Sequence, residues 1–147
     1  MGVRLVAASI KSADPHESES AVSPVEIEVG FSPVSSECFG RLLRVILGFG
    51  AKAHHSSPTL TELFSVKCRF EMMYELEEGY QPTRDEIDAF AGGNAVFNAW
   101  SFFREFAQNT IVRMGFPPTP TIPFLRLAPL AETKTPKTTT SESEPKK

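Results

Sequence analysis

Residues Asn94 to Met114, NAVFNAWSFFREFAQNTIVRM, constrain the fold more than any other stretch, because they run without a proline or glycine and repeat their apolar residues at helical spacing. Ala95, Val96, Ala99, Trp100, Phe102, Phe103, Phe106, Ala107 and Ile111 fall on about half of a helical wheel. Asn98, Ser101, Arg104, Glu105, Gln108, Asn109 and Arg113 fill the other half, with Phe97 and Val112 as exceptions. A stripe that wide is more than one thin sheet needs. One side can lie on the chain's own strands while the other meets a second surface. A plain core helix of a monomer satisfies the periodicity equally well.

What packs against such a helix is read from the preceding residues. Val3 to Lys11 is β-prone and ends at the turn-forming Ser12-Ala13-Asp14-Pro15. Val25, Ile27, Val29 and Phe31 alternate with Glu26, Glu28 and Gly30, the pattern of a strand with one buried face, and Pro33 with Ser35-Ser36 is expected to close it. Arg41 to Ala53 reads as a third strand with Leu43, Val45, Leu47, Phe49 and Ala51 on one face, and HHSSPT from His54 reads as a turn. In the fourth, Phe64, Val66, Cys68, Phe70, Met72, Tyr74 and Leu76 oppose Lys67, Arg69, Glu71 and Glu75. At about 3.3 Å per residue it spans roughly 40 Å. Thr83-Arg84-Asp85-Glu86 has the form of a capping box for a short helix to about Ala91, which Gly92-Gly93 ends or kinks. The expected fold class is α+β: a four-stranded antiparallel sheet followed by a short helix and a long amphipathic helix.

Gly115 stops the long helix, and Phe116-Pro117-Pro118-Thr119-Pro120 forces an extended path. Ile122 to Leu130 can lie along the body. The remainder, ETKTPKTTTSESEPKK, has nothing to bury, so the chain divides into a domain over 1–130 and a disordered polar tail over 131–147.

With 147 residues and a net charge of -3, this is one domain without the basic balance of a nucleic-acid binder. No signal peptide or membrane span is evident, so a cytoplasmic protein is expected. Cys38 and Cys68 then read as reduced, buried thiols. Phenylalanine is abundant (12) and tyrosine scarce (2), leaving much aromatic surface without a polar handle. No phosphate loop, nucleophile elbow or closely spaced ligand pair occurs. His54-His55 with Cys38 and Cys68 is too irregular for a zinc site, Arg104-Glu105 reads as a solvated or interfacial pair, and Glu26 and Glu28 read as a solvated strand face. No cofactor or metal is expected, and the chain is read as not an enzyme.

Trp100-Ser101-Phe102-Phe103-Arg104-Glu105-Phe106, then Arg113, then Gly115-Phe116-Pro117 resembles the corresponding stretch of SecB, the chaperone of preprotein export. The order of elements agrees over Val3 to about Leu127, although the specific residues lie only in Trp100 to Pro123. The resemblance implies a homotetramer, a dimer of dimers with sheets outside and long helices between dimers. It implies apolar grooves that hold unfolded preproteins before they pass to the SecA motor. Ser101 stands where the family has proline and Phe102 where it has tyrosine. A second C-terminal helix is missing, and Lys67 and Arg69 lie on a sheet face that in the family is acidic where it meets SecA. The first two departures matter little, the missing helix removes one groove wall, and Lys67 and Arg69 argue for weak or absent SecA docking.

The function expected is that of an ATP-independent holdase. An antitoxin-guarding chaperone of a toxin–antitoxin pair stays open, and a hot-dog thioesterase using the Asp88 and Asn94 region is a further alternative. The client groove is expected between the Gly115 to Pro123 crossover, the long helix and the sheet, with Phe116 as its key residue and Pro117, Ile122, Phe124 and Trp100 in support. Phe116 packing back on the helix end is the competing possibility. Trp100, Phe103, Phe106, Ala107 and Ile111 are expected at the contact between subunits.

Overall fold

A sheet of four antiparallel strands organises the computed structural model, which describes residues 1–14, 25–55, 62–116 and 119–125. The strands are β1 (Gly2–Ser12), β2 (Val25–Phe39), β3 (Leu42–His55) and β4 (Glu62–Glu75), in spatial order β1-β4-β3-β2. Phe39 pairs with Leu42, so β2 and β3 form a hairpin with a two-residue turn. Gly40 starts that turn at φ 58°, a conformation open to glycine at little cost. Leu43, Leu47 and Phe49 align on one face with Tyr74, Phe70 and Cys68 of β4, which puts the alternating apolar residues of both central strands on the same side. That side is the core: Val45, Leu47, Ala51, Ala53, Val66 and Met72 are fully buried.

Two helices follow. Thr83 caps α1 (Arg84–Gly92) through the reciprocal bonds of a capping box: its hydroxyl accepts from the Glu86 N–H, and Glu86 accepts from the Thr83 N–H at 2.7 Å. These bonds hold the Glu86 carboxyl below the usual carboxylate range. Gly93 separates α1 from α2 (Asn94–Met114), its N–H shared between the carbonyls of Ala89 and Phe90. A Cβ there would stand 3.2 Å from the Ala89 carbonyl oxygen, so the bend has little room for a side chain. Gly115 ends α2 in the left-handed region at φ 76°.

The seam of α2 against the sheet is built from Ala95, Val96, Ala99, Phe103, Ala107 and Ile111, all buried. Three alanines let the helix approach closely, and Phe103 stacks on Phe49 with ring centroids 5.0 Å apart. The expected α+β class and order of elements are therefore those observed.

Several boundaries differ from expectation. Pro33 and Ser35-Ser36 do not end β2; it continues to Phe39 through a register shift between Pro33 and Ser35. Proline is tolerated because β2 is an edge strand. His54 and His55 are not a turn but the last residues of β3, and His54 lies 3.5 Å from Glu26 across the pair. Cys38 is exposed rather than buried, because it sits near the end of the edge strand. Cys68 is buried, and burial pushes its thiol up to about 12. The domain boundary at 130/131 lies outside the described residues.

Candidate functional site: an aromatic strip beside the long helix

After α2 the chain returns along the helix, and it is side chains of α2 that hold it there. Trp100, Arg104 and Gln108 recur every four residues on one edge of α2. Trp100 Nε1 donates to the Pro123 carbonyl at 3.2 Å, Arg104 Nε to the Ile122 carbonyl at 3.0 Å, and Gln108 Nε2 to the Pro120 carbonyl at 3.1 Å. Gln108 Oε1 in turn accepts from the Ile122 N–H at 3.0 Å. Because the acceptors descend as the donors ascend, the segment runs antiparallel to the helix. A proline-rich segment cannot form a continuous ladder of its own, so these side chains supply partners for its backbone groups.

The expected groove residues separate into two sets. Phe116, expected to line the surface, is only 4 % exposed and lies against Phe64 with ring centroids 5.8 Å apart. The left-handed Gly115 turns the chain back so that this ring covers the end of the core, which is the helix-end packing the sequence left open. Ile122 is also fully buried, as the peg that seats the returning segment. Pro117 lies outside the described residues. Phe124 is open, 73 % exposed, with the Arg104 guanidinium 3.9 Å from its ring centroid. Trp100 is mostly covered, yet it reaches the surface beside Phe31 of β2, edge to face at 6.4 Å.

Phe31 is the residue that sequence reading missed. It alternates correctly onto the helix face, but β2 is the sheet edge and α2 does not extend over it, so its ring is 47 % exposed. Phe31, Trp100 and Phe49 are in mutual ring contact within 6.5 Å. Beside them, Phe97, Ser101, Arg104, Glu105, Phe124 and Leu125 line an open hollow of about 610 Å³ between α2 and the returning segment. The result is a partly exposed aromatic strip floored by the core, with polar atoms at its rim. Such a surface offers reversible contact to apolar side chains in many sequences.

The expected subunit-contact residues also need correction. Phe103, Ala107 and Ile111 have no exposed surface, because the sheet of the same chain already covers them, and Trp100 is nearly covered. Phe106 is half-buried. The helix surface left for another chain is Phe97, Phe102 and Val112 with Ser101, Glu105 and Asn109. The acid considered for thioesterase chemistry, Asp88, is held by Arg84 at 2.7 Å, and Asn94 is exposed at the start of α2.

No protein-family model and no curated protein matches the chain. Among solved structures it is similar to the SecB-like chaperone Rv1957 of Mycobacterium tuberculosis, determined in complex with a ChAD peptide from the Rv1956 HigA1 antitoxin. The two superpose with a TM-score of 0.70 at 14% identity, over 87% of this chain and 90% of that one. The fold is SecB-like.

Proposed function

We propose that this chain is an ATP-independent holdase that binds unfolded polypeptide along the Phe31–Trp100–Phe124 strip and so keeps it from aggregating. The observation that carries the proposal is the strip itself: Phe31 and Phe124 left largely open on either side of the mostly covered Trp100, on a fold shared with a SecB-like chaperone. The binding is passive, by mass action on the unfolded client. No enzymatic step is part of this reading.

Two client classes fit about equally. One is the preprotein of an export route, as the SecB resemblance implies, with SecA as the onward partner. The other is an antitoxin, supported by the similar chaperone having been solved with an antitoxin peptide. The assembly we propose is a cytoplasmic homotetramer in which Phe102, Phe106 and Val112 of α2 meet a partner helix. Among the described residues no helix is long and apolar enough to cross a membrane.

The test is aggregation of a chemically unfolded client diluted into buffer without nucleotide. Suppression at near-stoichiometric chaperone, weakened by Phe31→Ser and Phe124→Ser together, supports the proposal. Turnover of an acyl thioester with no effect on aggregation would replace it with the thioesterase alternative. Binding of SecA against binding of an antitoxin fragment then separates the two client classes.

A further inference from the structure

The outward face of the sheet, opposite the helices, carries a second feature; Phe31 and Phe49 reach its border, but its charges lie apart from the aromatic strip and do not depend on the holdase reading. Most carboxylates on this face are matched. Glu71 meets Arg4 at 2.9 Å, Glu37 meets Arg44 at 2.6 Å, Glu75 meets Arg41 at 3.0 Å and Glu26 meets His54 at 3.5 Å. Lys52, Lys67 and Arg69 form no ion pair among the described residues. They border an open trough of about 680 Å³, in which Glu28 is the single carboxylate.

The floor of that trough is glycine. Gly30 pairs with Gly50, Gly50 with Lys67, and Gly48 with Arg69, so the side-chain-free positions lie beside the cations. Glycine inside a strand weakens it. The chain's own packing does not require it here. A Cβ would meet nothing within 4 Å at Gly30, nothing nearer than 3.8 Å at Gly50 and nothing nearer than 3.4 Å at Gly48, and none of the three has positive φ. What the glycines provide is a floor that another backbone can approach closely.

We propose that this trough docks an extended acidic peptide segment with carboxylates on alternate residues. Lys67 and Arg69 stand two residues apart on β4, roughly 6.7 Å along the strand, the same repeat as same-side carboxylates of an extended chain. Lys52 lies one row further toward the sheet end. A peptide is favoured over a long polyanion because its backbone can lie close on the glycine floor while its carboxylates reach the cations.

The test titrates the full-length chain with a fluorescent peptide of alternating glutamate and serine, beside its glutamine counterpart and an oligonucleotide of equal charge. Preferential binding of the acidic peptide is expected. It should weaken about tenfold in Lys67→Gln/Arg69→Gln, and by a similar factor between low and moderate salt, since screening shortens the reach of exposed charges. Gly50→Val should also weaken binding while leaving Tm unchanged or raised. Phe124→Ser should leave peptide affinity intact, and Lys67→Gln/Arg69→Gln should leave aggregation suppression intact, so failure of this site and failure of the holdase reading are separable. Equal binding of the glutamine peptide, or no effect of the Lys67 and Arg69 changes, would overturn the proposal. So would tighter binding of the oligonucleotide. Peptide binding seen only in Glu142→Gln/Glu144→Gln would assign the face to the chain's own C-terminal segment instead.

Discussion

Truncating Phe116 to alanine separates a core ring from a client-binding ring. The side chain is 4 % exposed, faces Phe64 at 5.8 Å, and is fixed by a left-handed glycine on one side. Burying a phenylalanine and then removing it costs about 3–5 kcal/mol when the site cannot collapse. The low end applies here, because Phe64 pairs with Ser12 and Ala53 near the end of the sheet, where neighbours are fewer and relaxation is easier. About 3 kcal/mol corresponds to a fall in Tm of about 10 °C for a domain of this size. Denaturant unfolding at fixed protein concentration should show a lower midpoint with an unchanged slope. Client binding, measured well below the new Tm, should persist. An unchanged Tm with lost client affinity would put the ring on the surface and refute the packing described above.

Other expectations follow from the same contacts. Phe31→Ser should weaken client affinity several-fold while shifting Tm by only a few degrees, read by anisotropy and thermal melts on the same sample. At pH 8 a thiol reagent should modify Cys38 readily and Cys68 only as fast as the chain opens. Because the Cys68 thiol is raised from 9.0 to about 12 by burial, the unfolded chain ionises first, so its contribution to stability is complete below pH 9 and declines as pH rises toward 12. Thr83→Ala should cost about 1 kcal/mol, the usual effect of losing a cap, read by denaturant unfolding. The Glu86 carboxyl is held low by its bonds to Thr83, so its contribution is present above the unfolded carboxylate value and is lost as pH falls through the lower folded one. An acid titration of stability in wild type against Glu86→Gln checks this. Light scattering that gives a monomer at micromolar concentration would contradict the tetramer.

What could be read from the sequence was whatever a local repeat specifies. The alternation from Phe64 to Tyr74 identified β4 and its buried face, and Thr83 with Glu86 marked the start of α1, because period and capping are properties of a few neighbouring residues. The helical wheel of α2 was also correct in period, but it merged two surfaces. Phe103, Ala107 and Ile111 face the sheet while Phe97, Phe102 and Val112 face outward, and only the position of the sheet divides them. Phe31 and Phe49 are alike in sequence terms; strand order leaves the first at the edge and covers the second. Phe116 was misplaced for a related reason. Gly115 and Pro117 fix the direction of the backbone, but whether the ring turns inward depends on where Phe64 lies.

The two borders of the sheet are unlike each other, and this sets an arithmetic on assembly. β2 presents Pro33, which lacks a donor, a register shift beside it, and the charges of Glu26, Glu28 and Glu37. β1 presents Leu5, Val6 and Ile10, with Arg4 and Lys11 as its charged residues. A strand such as β2 resists further pairing, whereas one such as β1 does not. Were both borders receptive, each added chain would expose a fresh one and the sheet would grow into a filament. With β2 blunted, pairing through β1 would stop at a two-fold pair, because among the described strands each chain would then have used its receptive border. A chain with exposed aromatic rings beside its helix would thus have a stop against propagating itself through its sheet.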